Sequence, residues 1–332
     1  MRVGSLARQS LPVLRLGARR LLGRPSPFQM TLSVTNRCNF RCVYCDIPLQ
    51  KRDEMTPPEW CAAIDDLRAG GMGRASLIGG EPLFYDGVGS VIRHLRRRGV
   101  HAAMNTNGWL VRDRIEDVRL LDLVCLTLDG PREVHDRQRR RGSYDRVIEA
   151  IEALRAQGTP LVTMTVLTPS GCDSVDHVLD VARSFGFKAF FQLEHDKGCD
   201  VMAPIAPRLA DERIARLAEQ LLEAKAAGAP VGNSHELLER HRQGRRYLGS
   251  CGDCWAGRYY GYVLSDGTVA PCLLTQWQQE AGNGRREGFL RAFERLSAPS
   301  GPGCACLPTH EVNRVLDLDV RALWHAVDVA LA

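Results

Sequence analysis

The sequence predicts an α/β fold: a partial (β/α)6 TIM-like barrel followed by a small, cysteine-rich C-terminal domain. Three observations carry that expectation. Between residues 29 and 195 short apolar runs alternate with amphipathic helical stretches, the pattern of βαβ units and a parallel sheet. The alternation stops after His195, and five of the twelve cysteines crowd into residues 251–306.

The expected strands are Met30–Val34, Ala75–Ile78, Ala102–Asn105, Leu123–Leu128, Leu161–Leu167 and Phe187–Leu193. Helices are expected near 57–69, 87–98, 112–120, 143–157 and 174–185. The first opens with Thr56-Pro57-Pro58-Glu59, a capping-box spacing with prolines in the first turn. Six such units suit an incomplete barrel, with chemistry at the C-terminal ends of its strands. Beyond the barrel (29–195), residues 196–250 read as a helical linker, with helices over Arg208–Ala227 and Ser234–Tyr247. The cysteine-rich segment 251–306 contains one hairpin, Tyr259–Leu264 and Thr268–Leu273, turning at Ser265-Asp266-Gly267. Residues 307–332 read as a helical tail.

Of 332 residues, 44% are apolar and 25% charged, which excludes a disordered or collagen-like chain. No run approaches the roughly 20 apolar residues of a membrane-spanning helix. The net charge of +5 is concentrated in the first 45 residues, which hold eight arginines and no acid, so the remainder nets −3. A nucleic-acid binder would carry its basic face on the folded body, so no nucleic acid is expected as a partner. Residues 1–28 form a basic amphipathic segment, with Val3, Leu6, Leu11, Leu14, Ala18, Leu21 and Leu22 at helical spacing and Pro25 and Pro27 at its end. It lacks the apolar core of a secretory signal, although an organelle transit peptide shares its pattern. Two expectations follow: a helix packing its apolar face on the body, or a peripheral contact with a membrane surface or partner.

Cys38, Cys42 and Cys45 fall in one eight-residue window directly after the first strand. Disulfides among them would close short, strained loops, whereas thiolates at such spacings suit a metal cluster. A reduced, cytoplasmic setting is therefore expected. Cys61, Cys125, Cys172 and Cys199 stand singly and read as buried or incidental. Three thiolates cannot ligate all four irons of a cubane, so one iron stays open to a substrate or cofactor. Zinc fits less well, because no histidine is nearby to complete its tetrahedron.

At this point the chain resembles the radical S-adenosylmethionine (radical SAM) superfamily. The resemblance rests on C-x3-C-x-aromatic-C, with Tyr44 as the aromatic, and on Gly79-Gly80-Glu81-Pro82 after the second strand. Asn105-Thr106-Asn107-Gly108 after the third strand and Leu128-Asp129-Gly130 after the fourth extend it over residues 29–195. It implies a [4Fe–4S] cluster on Cys38, Cys42 and Cys45, with SAM chelating the open iron through its amino and carboxylate groups. A reducing partner such as flavodoxin or ferredoxin would then drive cleavage of SAM to a 5′-deoxyadenosyl radical that abstracts a substrate hydrogen. The cofactor-binding candidates are Tyr44, Gly79, Gly80, Glu81, Asn105, Thr106, Asn107, Thr127, Asp129, Arg139 and Gln192. Gly79 and Gly80 allow close backbone approach, with carbonyls for the SAM ammonium. Asn105, Thr106 and Asn107 could reach ribose hydroxyls. Thr127 and Asp129 share a strand face that would point into the barrel mouth, and Thr163, Thr165 and Gln192 follow by the same alternation. Within the run 137–141, mostly a solvated face, the Arg139 fork suits the SAM carboxylate.

Cys254 and Cys272 flank the hairpin with 17 residues between them. Extended, that chain would part them by about 60 Å, and the hairpin brings it back. The C-x12-Gly-x4-C pattern resembles the opening of a SPASM or twitch domain, which implies an auxiliary [4Fe–4S] cluster closed by Cys304 and Cys306. Cys251 makes five cysteines for four places, and one residue, rather than the usual two, separates the last pair. A zinc ribbon is the alternative. The expected activity is oxidative modification of a small molecule or a lipid-linked substrate, since 28 residues before the barrel are too few for a leader-recognition domain. The alternatives are a peptide or protein maturase (crosslinking, epimerisation or dehydrogenation) and, from another class, a non-catalytic Fe–S or zinc protein for electron transfer or scaffolding.

Overall fold

The computed structural model describes residues 14–193, 209–244, 254–272, 282–298, 307–317, 319–322 and 324. Six strands run in chain order: β1 (Gln29–Thr35), β2 (Arg74–Gly79), β3 (His101–Thr106), β4 (Leu123–Thr127), β5 (Leu161–Val166) and β6 (Lys188–Gln192). Each pairs in parallel with the next. The α/β class and the partial-barrel order therefore hold. Helices α2 (Pro57–Ala69), α3 (Val88–Arg97), α6 (Ser143–Ala156) and α7 (Val175–Phe185) follow the expected periodicity. The capping box forms, with Thr56 N and Oγ1 donating to Glu59 Oε2 at 2.7 and 2.8 Å. The helix near 112–120 shrinks to one turn, α4 (Ile115–Val118), and α5 (Arg132–Gln138) appears where none was expected.

The core lies between the sheet and these helices. Trp60, Ile64 and Leu67 of α2 and Val91, Ile92 and Leu95 of α3 pack with Leu32, Leu77 and Met104. The register identifies the faces. Leu126 pairs with Thr163, and a Cβ on Gly108 would touch both Leu126 and Val147 of α6. Leu126, Thr163 and Thr165 therefore face the helices. This corrects the expected inward direction of the two threonines: Met164, not Thr163, neighbours Thr127. Thr165 Oγ1 donates to the Leu128 carbonyl at 2.7 Å, which makes it a strand-to-strand tie. Asn105, paired with Cys125, and Gln192, paired with Val166, share the inward face with Thr127.

The hairpin belongs to the same sheet. β7 (Tyr260–Val263) lies parallel to β1, followed by antiparallel β8 (Thr268–Ala270) and β9 (Gly282–Asn283). The sheet order is β6-β5-β4-β3-β2-β1-β7-β8-β9. The segment read as a separate small domain thus extends the barrel edge at β1. In the linker, α8 (Asp211–Ala226) and α9 (His235–Arg242) form as a helix pair, and α10 (Gly284–Glu287), α11 (Phe289–Glu294) and α12 (Leu307–Leu316) follow the hairpin.

The described part of the N-terminal segment, residues 14–21, is the helix α1. It turns Arg19 and Arg20, rather than Leu14 and Leu21, toward the body. Arg19 Nη1 donates to the carbonyl of Gly70, the C-cap of α2, at 2.7 Å, and Nη2 pairs with Glu294. Arg20 donates to the carbonyl of Leu316, at the end of α12, and stacks over Trp255. Each arginine caps a helix C-terminus, where unpaired carbonyls and the dipole favour a cation. Leu14, Leu21 and Leu22 are exposed, so over residues 14–22 the expected apolar packing is not formed, and Leu16 packs against a buried cluster; Val3, Leu6 and Leu11 lie outside the described residues. Among the described residues no helix is long and apolar enough to cross a membrane.

Candidate active site

The loop after β1 carries Cys38, Cys42 and Cys45, and the structure braces it from both ends. Glu54 Oε1 accepts from Thr35 Oγ1 at 2.6 Å and Asn36 N at 2.9 Å, and Oε2 from Arg37 Nε at 3.1 Å. Ser265, in the β7–β8 turn, donates to Asn36 Oδ1 at 2.9 Å. Further along, Val43 N donates to the Gln138 carbonyl at 2.9 Å. Tyr44 Oη donates to Asp129 Oδ2 at 2.5 Å, and Arg139 Nε lies 2.7 Å from that oxygen and 2.8 Å from Tyr44 Oη. Asp129 Oδ1 accepts from Val166 N at 2.9 Å, and Asp129 N donates to His135 Nδ1 at 3.1 Å. Asp129 is fully buried and Arg139 nearly so. The predicted residues Tyr44, Asp129 and Arg139 thus form one cluster that ties the cysteine loop to β4 and α5. The partners of Arg139 Nε are this chain's own carboxylate and phenol.

The three thiols are half-buried. Burial pushes Cys38 up to about 11, opposed by the Phe40 N–H that reaches its sulfur at 3.3 Å and reinforced by Glu81, Cys42 and Cys45. Burial likewise raises Cys42, with the Arg139 cation opposing. Neighbouring thiols in such a place ionise together only when a cation joins them, which is what metal binding supplies.

The donor set fits an iron–sulfur cluster. Among the described residues no three His, Cys, Asp or Glu side chains converge to hold a single ion. A four-iron cluster asks something different, one iron for each thiolate. The backbone beside it is cut to size as well. Gly79, at φ +152°, would drive a Cβ into the Thr35 carbonyl, and a Cβ on Gly80 would strike the carbonyls of Asn36 and Arg37. Both obstacles are backbone, so neither can swing aside. Gly80→Ala is therefore expected to displace the cysteine loop, at a cost of about 1–3 kcal/mol. The check is iron content after anaerobic reconstitution, which should fall at this site while the far-UV circular dichroism stays unchanged.

Glu81 is a strut between loops. Its carboxylate is buried and accepts from Leu83 N, Thr106 Oγ1 and Asn107 N at 3.1, 2.8 and 2.8 Å. Burial raises its pKa, and those three donors oppose the rise. Asn107 Nδ2 donates to Asn39 Oδ1 at 2.9 Å, which joins the post-β3 loop to the cysteine loop. Asn105 stands exposed on the inward face, and Thr127 and Gln192 are half-buried at the ends of their strands. Sequence reasoning missed Glu54, His135 and Ser265. Ser265 was seen only as a turn residue, and neither Glu54 nor His135 sits in a motif.

At the other end of β1 and β7, Cys254 and Cys272 are buried, 8% and 7% exposed, in one cluster with Phe28, Tyr259 and Tyr260. Cys251, Cys304 and Cys306, together with Cys199, lie outside the described residues.

A parallel partial barrel with three cysteines on the loop after its first strand, held against glycines of the second, defines a class. The family model of the radical SAM superfamily matches residues 32–182, the segment that runs from β1 to α7 of the partial barrel and carries the three cysteines. The chain is 30% identical to GTP 3′,8-cyclase 2 of Pseudomonas aeruginosa over 163 residues, 46% of this chain and 49% of that protein. It is 26% identical to AdoMet-dependent heme synthase of Methanosarcina barkeri over 296 residues, 81% and 82% of the two chains. The match thus spans about half the length of the cyclase and most of the synthase. Streptococcus suis SuiB bound to S-adenosylmethionine shares the fold, with a TM-score of 0.68 and 14% identity over 86% of this chain and 70% of SuiB.

Proposed function

We propose that this chain binds a [4Fe–4S] cluster on Cys38, Cys42 and Cys45 and SAM beside it, and oxidatively modifies a small-molecule or lipid-linked substrate. The observation that carries this is the braced cysteine loop lying on the Gly79–Gly80 backbone. When bound, the cluster and SAM supply one-electron cleavage of SAM and hydrogen-atom abstraction, driven by a reductant of the flavodoxin or ferredoxin type. The chain's own contribution is orientation and water exclusion. Asp129, Tyr44 and Arg139 fix the loop, Glu81 fixes the glycine turn, and Asn105, Thr127 and Gln192 present polar groups from the inward face. Similarity to the heme synthase along most of both chains supports a small-molecule substrate. That synthase's name states dependence on AdoMet.

Cys254 and Cys272 belong in this reading to a second, auxiliary cluster. Their support is their shared burial at one end of the hairpin and the chemistry of a paired thiol set, with further ligands to come from Cys251, Cys304 and Cys306. Anaerobically reconstituted protein is expected to hold about eight irons, and the Cys38/Cys42/Cys45→Ala variant about four. Zinc in place of the second four, or unchanged iron in the triple variant, overturns the assignment.

A further inference from the structure

The sulfur of Cys254 is surrounded by buried polar side chains. Tyr260 Oη lies 2.7 Å from Cys254 Sγ, and Asn313 Nδ2 lies 3.4 Å from the same sulfur and 3.2 Å from Tyr260 Oη. Tyr260 and Asn313 are 5% and 2% exposed. The direction of the asparagine amide is fixed, because its Oδ1 accepts from Trp255 N at 2.7 Å. Its Nδ2 must therefore face the sulfur and the phenol, with the Thr309 carbonyl as a further acceptor at 2.7 Å. An N–H aimed at Tyr260 Oη leaves the phenol's own proton free for Cys254. The buried sulfur thus faces the phenol O–H and one amide N–H that it shares with the phenol oxygen, the other amide N–H being taken by the Thr309 carbonyl.

These donors come from distant parts of the chain. Tyr260 opens β7, beside the first residue of β1, and Asn313 belongs to α12. Their meeting at one sulfur is a product of the tertiary fold, not of local sequence. Hydrogen bonds to cluster sulfur ligands withdraw electron density and make reduction easier, and they hold the ligand in place.

We propose that Tyr260 and Asn313 are positioning residues that hydrogen-bond the Cys254 sulfur as a cluster ligand and raise the reduction potential of the auxiliary cluster. The proposal rests on the auxiliary-cluster reading above. It is tested on full-length protein carrying Cys38/Cys42/Cys45→Ala, where the C-terminal cluster alone contributes to the spectrum. Iron is counted, and the midpoint potential is read by redox titration followed by electron paramagnetic resonance. Tyr260→Phe keeps the ring in its apolar cluster and removes the donor. It is expected to shift the midpoint to more negative potential with about four irons retained. Asn313→Asp keeps the oxygen that Trp255 needs and turns an acceptor toward the sulfur, so it should shift the midpoint further in the same sense. Should Tyr260→Phe fail to fold, Asn313→Asp decides. An unchanged midpoint with four irons present overturns the role of these residues while leaving the cluster standing. Absence of iron in the parent background overturns the cluster reading, and this proposal with it.

Discussion

Cys42→Ala should reduce formation of 5′-deoxyadenosine from SAM to the level of a protein-free control, whereas Cys272→Ala should preserve it. The contrast follows from where the two sulfurs stand. Cys42 lies on the loop after β1, within reach of the Arg139 charge. Cys272 lies past the end of β8, buried with Tyr260 at the start of β7. Because β1 and β7 run side by side from Gln29↔Tyr260, the two cysteine groups occupy opposite ends of the same strands. Six residue steps separate Gln29 from Thr35, roughly 20 Å of extended chain. A thiolate that far away cannot hold the iron to which SAM binds. If the proposed auxiliary cluster is present, loss of Cys272 should instead uncouple SAM cleavage from product formation, because that cluster would lose a ligand. Both variants must be shown to be folded, and their iron counted. Full product turnover by Cys272→Ala would show that the C-terminal cysteines are dispensable.

Arg139→Ala should be among the most destabilising single changes in the barrel. It leaves Asp129 fully buried beside Tyr44 without its cation. Breaking one side of a buried ion pair costs about 3–5 kcal/mol, which corresponds to a fall in Tm on the order of 10 °C. Arg141, exposed two residues away in the same basic run, serves as the control, and Arg141→Ala should cost no more than about 0.5 kcal/mol. Adding Asp129→Asn to Arg139→Ala should recover part of the loss, since the unpaired charge is then gone. Thermal melts followed by circular dichroism read all three. A melt for Arg139→Ala within a degree of the parent would show that the pair carries no net stability.

The barrel was legible because strand and helix periods differ and the turn signals between them are strong. All six core strands lie within a residue or two of their expected bounds. Within the site, Tyr44, Asp129 and Arg139 could be picked out singly, as the motif aromatic, an inward strand-end acid and a planar fork. Their mutual bonding could not, because it depends on how α5 returns the chain to the loop, and no helix is expected there from the sequence, only a solvated charged run over 137–141. Thr163 and Thr165 went astray for a different reason. Alternation says that two residues share a face but not which face, and in a strand covered on both sides the polar residue can be the one turned to the helices. The pairing of Leu126 with Thr163 decides it. The union of hairpin and barrel was equally hidden, since nothing local in Tyr260–Val263 names β1 as its neighbour.

That union bears on how the chain acquires its fold during synthesis. β1 needs β2 on one side, about 40 residues downstream, and β7 on the other, about 230 residues downstream. At a ribosomal pace of roughly 5–20 residues per second, the β7 side of β1 waits on the order of ten seconds or more for its partner. Over that interval its backbone donors and acceptors are an open edge, available to another strand. The cysteine loop waits as well, because Ser265, which holds Asn36, emerges only with the hairpin. Metal loading before that moment would meet a loop fastened from the barrel side alone. Closure of the sheet by its latest strands thus sets the earliest time at which the first cysteines can take up their final positions, and a chain stalled before residue 260 would be both unfinished and adhesive.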